Sequence, residues 1–175
     1  MSKTFPTPDS IVAQHNEGSK KFRKKVRRMN KVISFLYRIY LLPLFGAGKK
    51  FMIIETIGRK TGKRRLNPVI YDIFYTGKIT IVLARGRNTD WMKNIDATND
   101  GVFKIHRGFK KFKVKKVLIE NDIESYEHLE HFCLNYKSAK GFLGFDKETD
   151  MDLLNTEEFR NILNIIQFIQ LEIVE

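Results

Sequence analysis

Between Phe51 and Tyr75 the chain reads FMIIETIGRKTGKRRLNPVIYDIFY, two apolar, β-branched runs with a cationic stretch between them. Residues 51–57 and 69–75 have strand composition, so Arg59, Lys60, Lys63, Arg64 and Arg65 are expected to share one strand-to-strand connection. Five like charges on a short loop repel one another unless the loop meets water or an anion. Gly58 and Gly62 bracket Arg59-Lys60-Thr61, which predicts backbone turning through positive φ with N–H groups pointing inward. The Thr61 hydroxyl and the guanidinium forks add donors, and phosphate or carboxylate is the guest such a loop suits.

Beyond Tyr75 the chain has the rhythm of a small β protein. KITIVLAR (78–85) comes after Thr76-Gly77, where a tight turn would pair it with 69–75. A loop from Gly86 to Trp91 leads into a short helix, WMKNIDAT, which Thr89 or Asp90 can cap. VFKIHR (102–107), a turn at Gly108, and 109–120 make two further strands. In the second, Phe112, Val114 and Val117 are expected to face inward against Lys111, Lys113 and Lys115. Residues 122–136 and 156–166 read as helices and 167–174 as a closing strand. Short strands in hairpin order with helices at the ends predict an α+β, mainly β fold, a small barrel and not a βαβ sheet.

Ahead of the first strand, residues 1–19 lack any sustained period and read as a mobile arm, leaving 20–175 as a single domain. Lys20 to Lys31 holds eight basic residues and no acid, and runs into VISFLYRIYLLPLF. On a helix, Val26, Met29, Val32, Ile33, Leu36, Tyr37 and Tyr40 fall near one face. That face can cap a barrel, the favoured reading, or residues 20–45 can make peripheral contact with an anionic membrane. The apolar run is too short to span one.

Charge is segregated along the chain. Residues 1–116 carry 28 Lys+Arg against 7 Asp+Glu, or +21, and residues 117–175 carry 4 against 13, or −9. An anionic partner for the first two-thirds is the natural inference, whether cofactor, membrane or nucleic acid. Nucleic acid is the weakest of these, because the aromatics alternate with lysines as core residues do. Cys133 stands alone, which excludes an intramolecular disulfide and points to a cytoplasmic protein. No metal framework is visible, and His128 with His131 reads as a solvated helix face. Gly46-Ala47-Gly48-Lys49-Lys50 is no phosphate loop, since Leu42 stands where its first glycine would be and no Ser or Thr follows.

Gly58-Arg59-Lys60-Thr61-Gly62, then Arg65 and Asn67-Pro68 after an apolar strand, resembles the signature of the deazaflavin-dependent nitroreductase family, whose members use coenzyme F420. The resemblance runs from about Met29 to Val114 and takes in Val82-Leu83-Ala84, Trp91 and Asn94; beyond residue 120 it fades. It implies a split β-barrel close to flavin-binding barrels, and hydride transfer from the reduced deazaflavin to a quinone, enone or nitro compound. Arg59, Lys60 and Arg65 would then neutralise the coenzyme's polyanionic tail, Val69, Ala84 and Arg85 would flank the ring with Trp91 and Asn94 close to it, and Thr61, Gly62, Asn67 and Pro68 would complete the cofactor-binding set. Arg85 stands where many relatives have a small hydroxyl residue. Tyr126 and Tyr136 are the nearest candidates for contact with the acceptor. FMN or haem in the same barrel is the alternative cofactor, and an open barrel edge leaves room for a homodimer.

Overall fold

The computed structural model describes residues 19–46, 49, 51–73, 77–83, 89–136, 163 and 166–174. Helix α1 spans Ser19–Arg38 and a single turn, α2, spans Leu41–Leu44. The strands are β1 (Phe51–Ile57), β2 (Arg64–Ile70), β3 (Asp72–Ile73), β4 (Ile79–Leu83), β5 (Val102–Arg107), β6 (Lys110–Ile119) and β7 (Gln167–Val174), with α3 (Asp90–Asp96) and α4 (Asp122–Asn135) between them. The expected arm, and all but Leu163 and Ile166 of the helix expected over 156–166, lie outside the described residues, apart from Ser19, which begins α1.

All seven strands join one sheet in the order β2-β1-β5-β6-β7-β4-β3, and every pairing is antiparallel. The outermost strands, β2 and β3, are separated in sequence by Tyr71 alone. A sheet whose two edges are joined through one residue has to curl until those edges meet, which makes this a split β-barrel with its seam at Tyr71. That residue is 1% exposed. Its hydroxyl accepts a bond from Arg107 Nε (2.9 Å), and its carbonyl accepts one from the Tyr136 hydroxyl (3.2 Å).

The curl divides the side chains into two cores. On the concave face Met52, Ile54, Ile81, Leu83, Ile105, Val114 and Ile169 pack around Met92 and Ile95 of α3. On the convex face Leu129, Phe132 and Cys133 of α4 pack on Phe168 with Val82 and Ile119. Complete burial of a side chain of this size contributes about 1.5–3 kcal/mol, so α3 and α4 are held by packing. Cys133 is thus a small core residue. His128 and His131 do not form a solvated face: His128 is buried against the Phe168 ring, and His131 Nε2 lies 2.8 Å from Asp72 Oδ2, because this side of α4 is the one that meets the sheet.

Three strand expectations change. Strand β2 begins at Arg64, so the connection from β1 is only Gly58–Lys63, and Val69 and Ile70 pair with Met52 and Phe51 and not with β4. A strand can open with two arginines and contain Pro68 here because β2 is an edge strand, where charge and a missing N–H are tolerated. Among the described residues of the second run, only Asp72 and Ile73 pair with β4. On β6, Val117 shares the exposed face of Lys111, Lys113 and Lys115, while Lys116 turns inward beside Asp96. The two-residue repeat of a strand dictates that parity.

Helix α1 covers the convex face beside β1 and β2. Tyr37 is its anchor, 3% exposed, with its hydroxyl accepting the Gly108 N–H at 2.7 Å. Ser34 donates to the Leu66 carbonyl at 3.5 Å. The helix caps the barrel with a narrower face than expected, since Met29, Val32 and Tyr40 remain exposed.

Beneath the helix, Glu55 Oε2 accepts from Arg64 (2.5 Å) and contacts His106 Nε2 (2.6 Å). Burial alone would raise the Glu55 pKa, but bonds from Arg64 and His106 outweigh it and hold the carboxyl low. Burial pushes the His106 imidazole below its ordinary 6.5, against the pull of Glu55. Burial likewise lowers His128. Both kinds of shift give stability that is present above the unfolded pKa and lost as pH falls through the folded one. Urea midpoints are therefore expected to decline from pH 7 to pH 5 as the histidines charge, and further on approach to pH 4 as Glu55 protonates. His106→Gln should flatten the upper part of that decline, leaving the share that belongs to His128.

Candidate functional site

The Gly58–Lys63 connection is a closed turn. The Gly58 carbonyl accepts the N–H groups of Thr61 (3.0 Å) and Gly62 (2.8 Å), and the Gly58 N–H returns to the Lys63 carbonyl (2.9 Å). Gly62 has φ +62, which other residues avoid. Gly58 is required for space, because a Cβ there would stand 2.9 Å from Thr61 Oγ1 and 3.4 Å from Arg65 Nε. The N–H groups expected to point at a ligand are thus largely taken up within the protein. What the turn presents outward is side chains.

Gly58→Ala is expected to push Thr61 and Arg65 aside and cost about 1–3 kcal/mol, the usual range for overpacking. Gly62→Ala has open space but an unfavourable φ, and about 1–2 kcal/mol should be lost. Urea midpoints of the two variants measure both.

Asn94 fastens this turn to the barrel. It sits on α3, is 6% exposed, and its Oδ1 accepts from the Arg59 backbone N–H (3.2 Å) and from Arg59 Nη1 (3.0 Å). Its Nδ2 donates to Thr56 Oγ1 at 3.3 Å. The Arg59 guanidinium also reaches Asp90, through the carbonyl (3.3 Å) and Oδ1 (3.2 Å). The Asp90 carboxylate is largely in water, so that pair contributes at most about 1 kcal/mol. The Asn94 bonds are sheltered and matter more. Thr56, and Asp90 as partner of Arg59, were not anticipated as parts of this assembly. The alternation of β1 was the signal for Thr56, which shares the concave face with Met52 and Ile54.

Arg65 lies across Gly58, with Nη2 3.4 Å from Thr61 Oγ1. Lys60, Lys63 and Arg65 are exposed. Register puts Arg65, Asn67 and Val69 opposite Thr56, Ile54 and Met52, hence on the concave face. Val69 and Trp91 are half-buried against that core. The structure therefore brings Arg59, Thr61, Arg65, Asn67, Val69, Trp91 and Asn94 to one side of the sheet, with Lys60 and Gly62 on the same turn. Pro68 faces the other way, opposite Ile53. Thr89 precedes α3 without a side-chain capping bond, and its buried hydroxyl has no partner among the described residues.

Two groups of candidates stand apart. Ala84 and Arg85 lie outside the described residues. Tyr126 and Tyr136 pack in the convex core under α4. The Tyr136 hydroxyl donates to the Tyr71 carbonyl and Asp72 Oδ1, and burial with the nearby Asp72 carboxylate pushes its pKa up to about 12. It is a closing contact at the seam. Among the described residues, no three His, Cys, Asp or Glu side chains are placed to hold a metal ion.

A buried amide holding a cationic turn at the rim of an apolar concave surface suits a ligand with a flat ring and an anionic tail. Comparison with known proteins names one. A family model described as F420H(2)-dependent quinone reductase matches residues 42–151, extending past residue 120, where the motif likeness fades. No curated protein matches the chain. Among solved structures, one described as an F420-H2 dependent reductase (FDR-A) is 18% identical, over 71% of this chain and 95% of that one, with a TM-score of 0.45. Another, described as a domain-swapped dimer, is 16% identical over 71% of this chain and 81% of that one, with a TM-score of 0.38. The family match covers well over half of the sequence. The chain belongs to the F420H(2)-dependent quinone reductase family, oxidoreductases whose cofactor is coenzyme F420.

Proposed function

We propose that this protein binds reduced coenzyme F420 on the concave face of the barrel, its anionic tail on the Gly58–Lys63 turn and the neighbouring Arg65, and passes a hydride to an organic acceptor. A quinone is the first acceptor to test, ahead of enones and nitro compounds. The observation that carries the reading is the anchoring of a turn that exposes Lys60 and Lys63, with Arg65 next to it on β2, beside the half-buried Val69 and Trp91.

The donor set fits the cofactor: Lys60 and Arg65 are placed to neutralise phosphate and carboxylate groups, and Thr61 adds a hydroxyl. Bound here, the coenzyme supplies the reducing equivalent as hydride. The protein's share is alignment and exclusion of water. Val69 and Trp91 offer apolar surface for a ring. Asn94, whose amide is committed to Arg59 and Thr56, positions the turn and needs no contact with the ring itself. Arg59 acts with it as a strut, leaving tail binding to its neighbours.

The test is consumption of reduced coenzyme by purified protein offered a quinone, an enone or a nitroaromatic, followed by loss of the reduced absorbance. Turnover with the quinone is expected. Tight binding with no turnover on any acceptor would make the protein a carrier, and absence of binding would remove the assignment altogether.

A further inference from the structure

The seam at Tyr71 is where the sheet has least support. Inner strands are bonded on both sides, but β2 is bonded only to β1 and β3 only to β4, and among the described residues no ladder crosses from one to the other. Backbone bonded along one edge opens more readily than backbone bonded along two. The last residues of β2 are Val69 and Ile70, and the two-residue period of a strand sends them to opposite faces. Val69 packs on the concave core that includes Met92 and Ile95, whereas Ile70 packs against the core that α4 forms with Leu129, Phe132 and Cys133.

Helix α4 supplies what the ladder lacks. The Tyr136 hydroxyl reaches the Tyr71 carbonyl (3.2 Å) and Asp72 Oδ1 (3.4 Å), and His131 Nε2 lies 2.8 Å from Asp72 Oδ2. Asp72 Oδ1 also accepts the Ile73 N–H at 2.8 Å, so this carboxylate links α4 to the backbone of β3. From the other side Arg107 donates to the Tyr71 hydroxyl, with its guanidinium over the same ring, 5.3 Å from the centroid. The one residue joining the two edges of the sheet is thus held from α4 and from β5.

We propose, on the reading of the concave face as the coenzyme site, that Tyr136 and His131 are positioning residues for hydride transfer: by holding Tyr71 and Asp72 from the convex side they fix the end of β2, and with it the Val69 surface against which the ring lies. Neither side chain touches the ring. The grip on the tail belongs to the start of the same strand, where Arg65 stands about 13 Å from Val69 along β2. Errors of alignment at one end of the strand therefore fall on kcat, and errors of grip at the other end fall on affinity.

The test compares Tyr136→Phe with wild type and with Leu129→Ala. The first keeps the ring on Phe132, with centroids 4.8 Å apart, and removes only the hydroxyl. The second opens a cavity in the same helix core and leaves both clamps in place. With saturating coenzyme and a quinone, Tyr136→Phe is expected to lower kcat about tenfold while changing the coenzyme Kd by less than about threefold, and adding His131→Leu should take the loss in kcat to about 30-fold. His131→Gln, which still offers Asp72 a donor, should stay within about twofold of wild type. Leu129→Ala should lose more stability in urea than Tyr136→Phe, with kcat unchanged. Amide hydrogen exchange on the coenzyme-free protein is the second readout: Tyr136→Phe should quicken exchange over residues 66–71 about tenfold and leave β5 and β6 protected. A wild type that never consumes the coenzyme would remove the reading of the site and this inference with it. A wild type that turns over beside an equally fast Tyr136→Phe, unchanged exchange in β2, or a loss of kcat as large in Leu129→Ala would overturn the inference alone.

Discussion

Replacing Lys60 and Arg65 together by alanine is expected to weaken coenzyme F420 binding about 100-fold, with stability unchanged to within about 0.5 kcal/mol. Both side chains are exposed, so each charge-assisted contact with the coenzyme's tail is discounted for screening to about 1–1.5 kcal/mol, and two such losses amount to that factor. The loss should shrink as salt is raised, because screening weakens the wild-type contacts first. Fluorescence titration of the oxidised coenzyme at two ionic strengths measures both effects. Arg59→Ala makes an instructive contrast. Its guanidinium bonds Asn94 and Asp90, so its removal should lower stability as well as affinity. A double variant that binds like wild type at low salt would detach the turn from the cofactor.

Asn94→Leu is expected to cost about 2–4 kcal/mol of stability and most of the coenzyme affinity, although Asn94 need not touch the coenzyme. Leucine keeps the branched skeleton but is bulkier, so part of the penalty is overpacking and the rest comes from the groups it leaves behind. The Arg59 N–H and Thr56 Oγ1 lose sheltered partners, and each buried unsatisfied group costs about 1–3 kcal/mol. Freed from α3, the turn would sample more conformations and bind the tail at an entropic cost. Asn94→Asp keeps an acceptor for Arg59 and should recover much of the affinity. Urea denaturation and coenzyme titration on the same three proteins separate positioning from contact. If Asn94→Leu were as stable as wild type and bound the coenzyme normally, the strut would be dispensable.

Much of this arrangement is legible in the residues themselves. Alternating and β-branched runs mark β1, β5, β6 and β7 within a residue or two, and Asn121 before Ile123 and Glu124 starts α4 with both bonds of its cap formed. The cationic motif and its glycines are equally plain, whereas Asn94 entered only through the family resemblance, as a polar contact near the ring and not as the residue that bonds Arg59 and Thr56. Pairing is another matter. Nothing in VIYDIFY says that Tyr71 divides it, sending Val69 and Ile70 to one edge of the sheet and Asp72 and Ile73 to the other. Periodicity reports which side chains resemble one another, whereas the choice of neighbouring strand depends on closure of the whole barrel. Edge position is also invisible locally, so a strand that opens with Arg64-Arg65 reads as loop. Helix α1 misleads for the opposite reason: it is apolar on two flanks, and among its described side chains only Tyr37 and its neighbours find the sheet. The role of Gly58 needed coordinates as well, since a glycine kept for room looks the same in sequence as one kept for φ.

Strand β7 comes last among the described strands yet lies between β6 and β4, bonded to both. During synthesis, β2-β1-β5-β6 and β4-β3 can each assemble, but no ladder joins them until residues 167–174 have left the ribosome. Until then β4 and β6 each offer an open edge of unpaired backbone groups to any passing strand. Folding of this barrel therefore waits on its final staple, and shortening the chain before Gln167 should leave two orphaned half-sheets prone to aggregate and not a smaller version of the same protein.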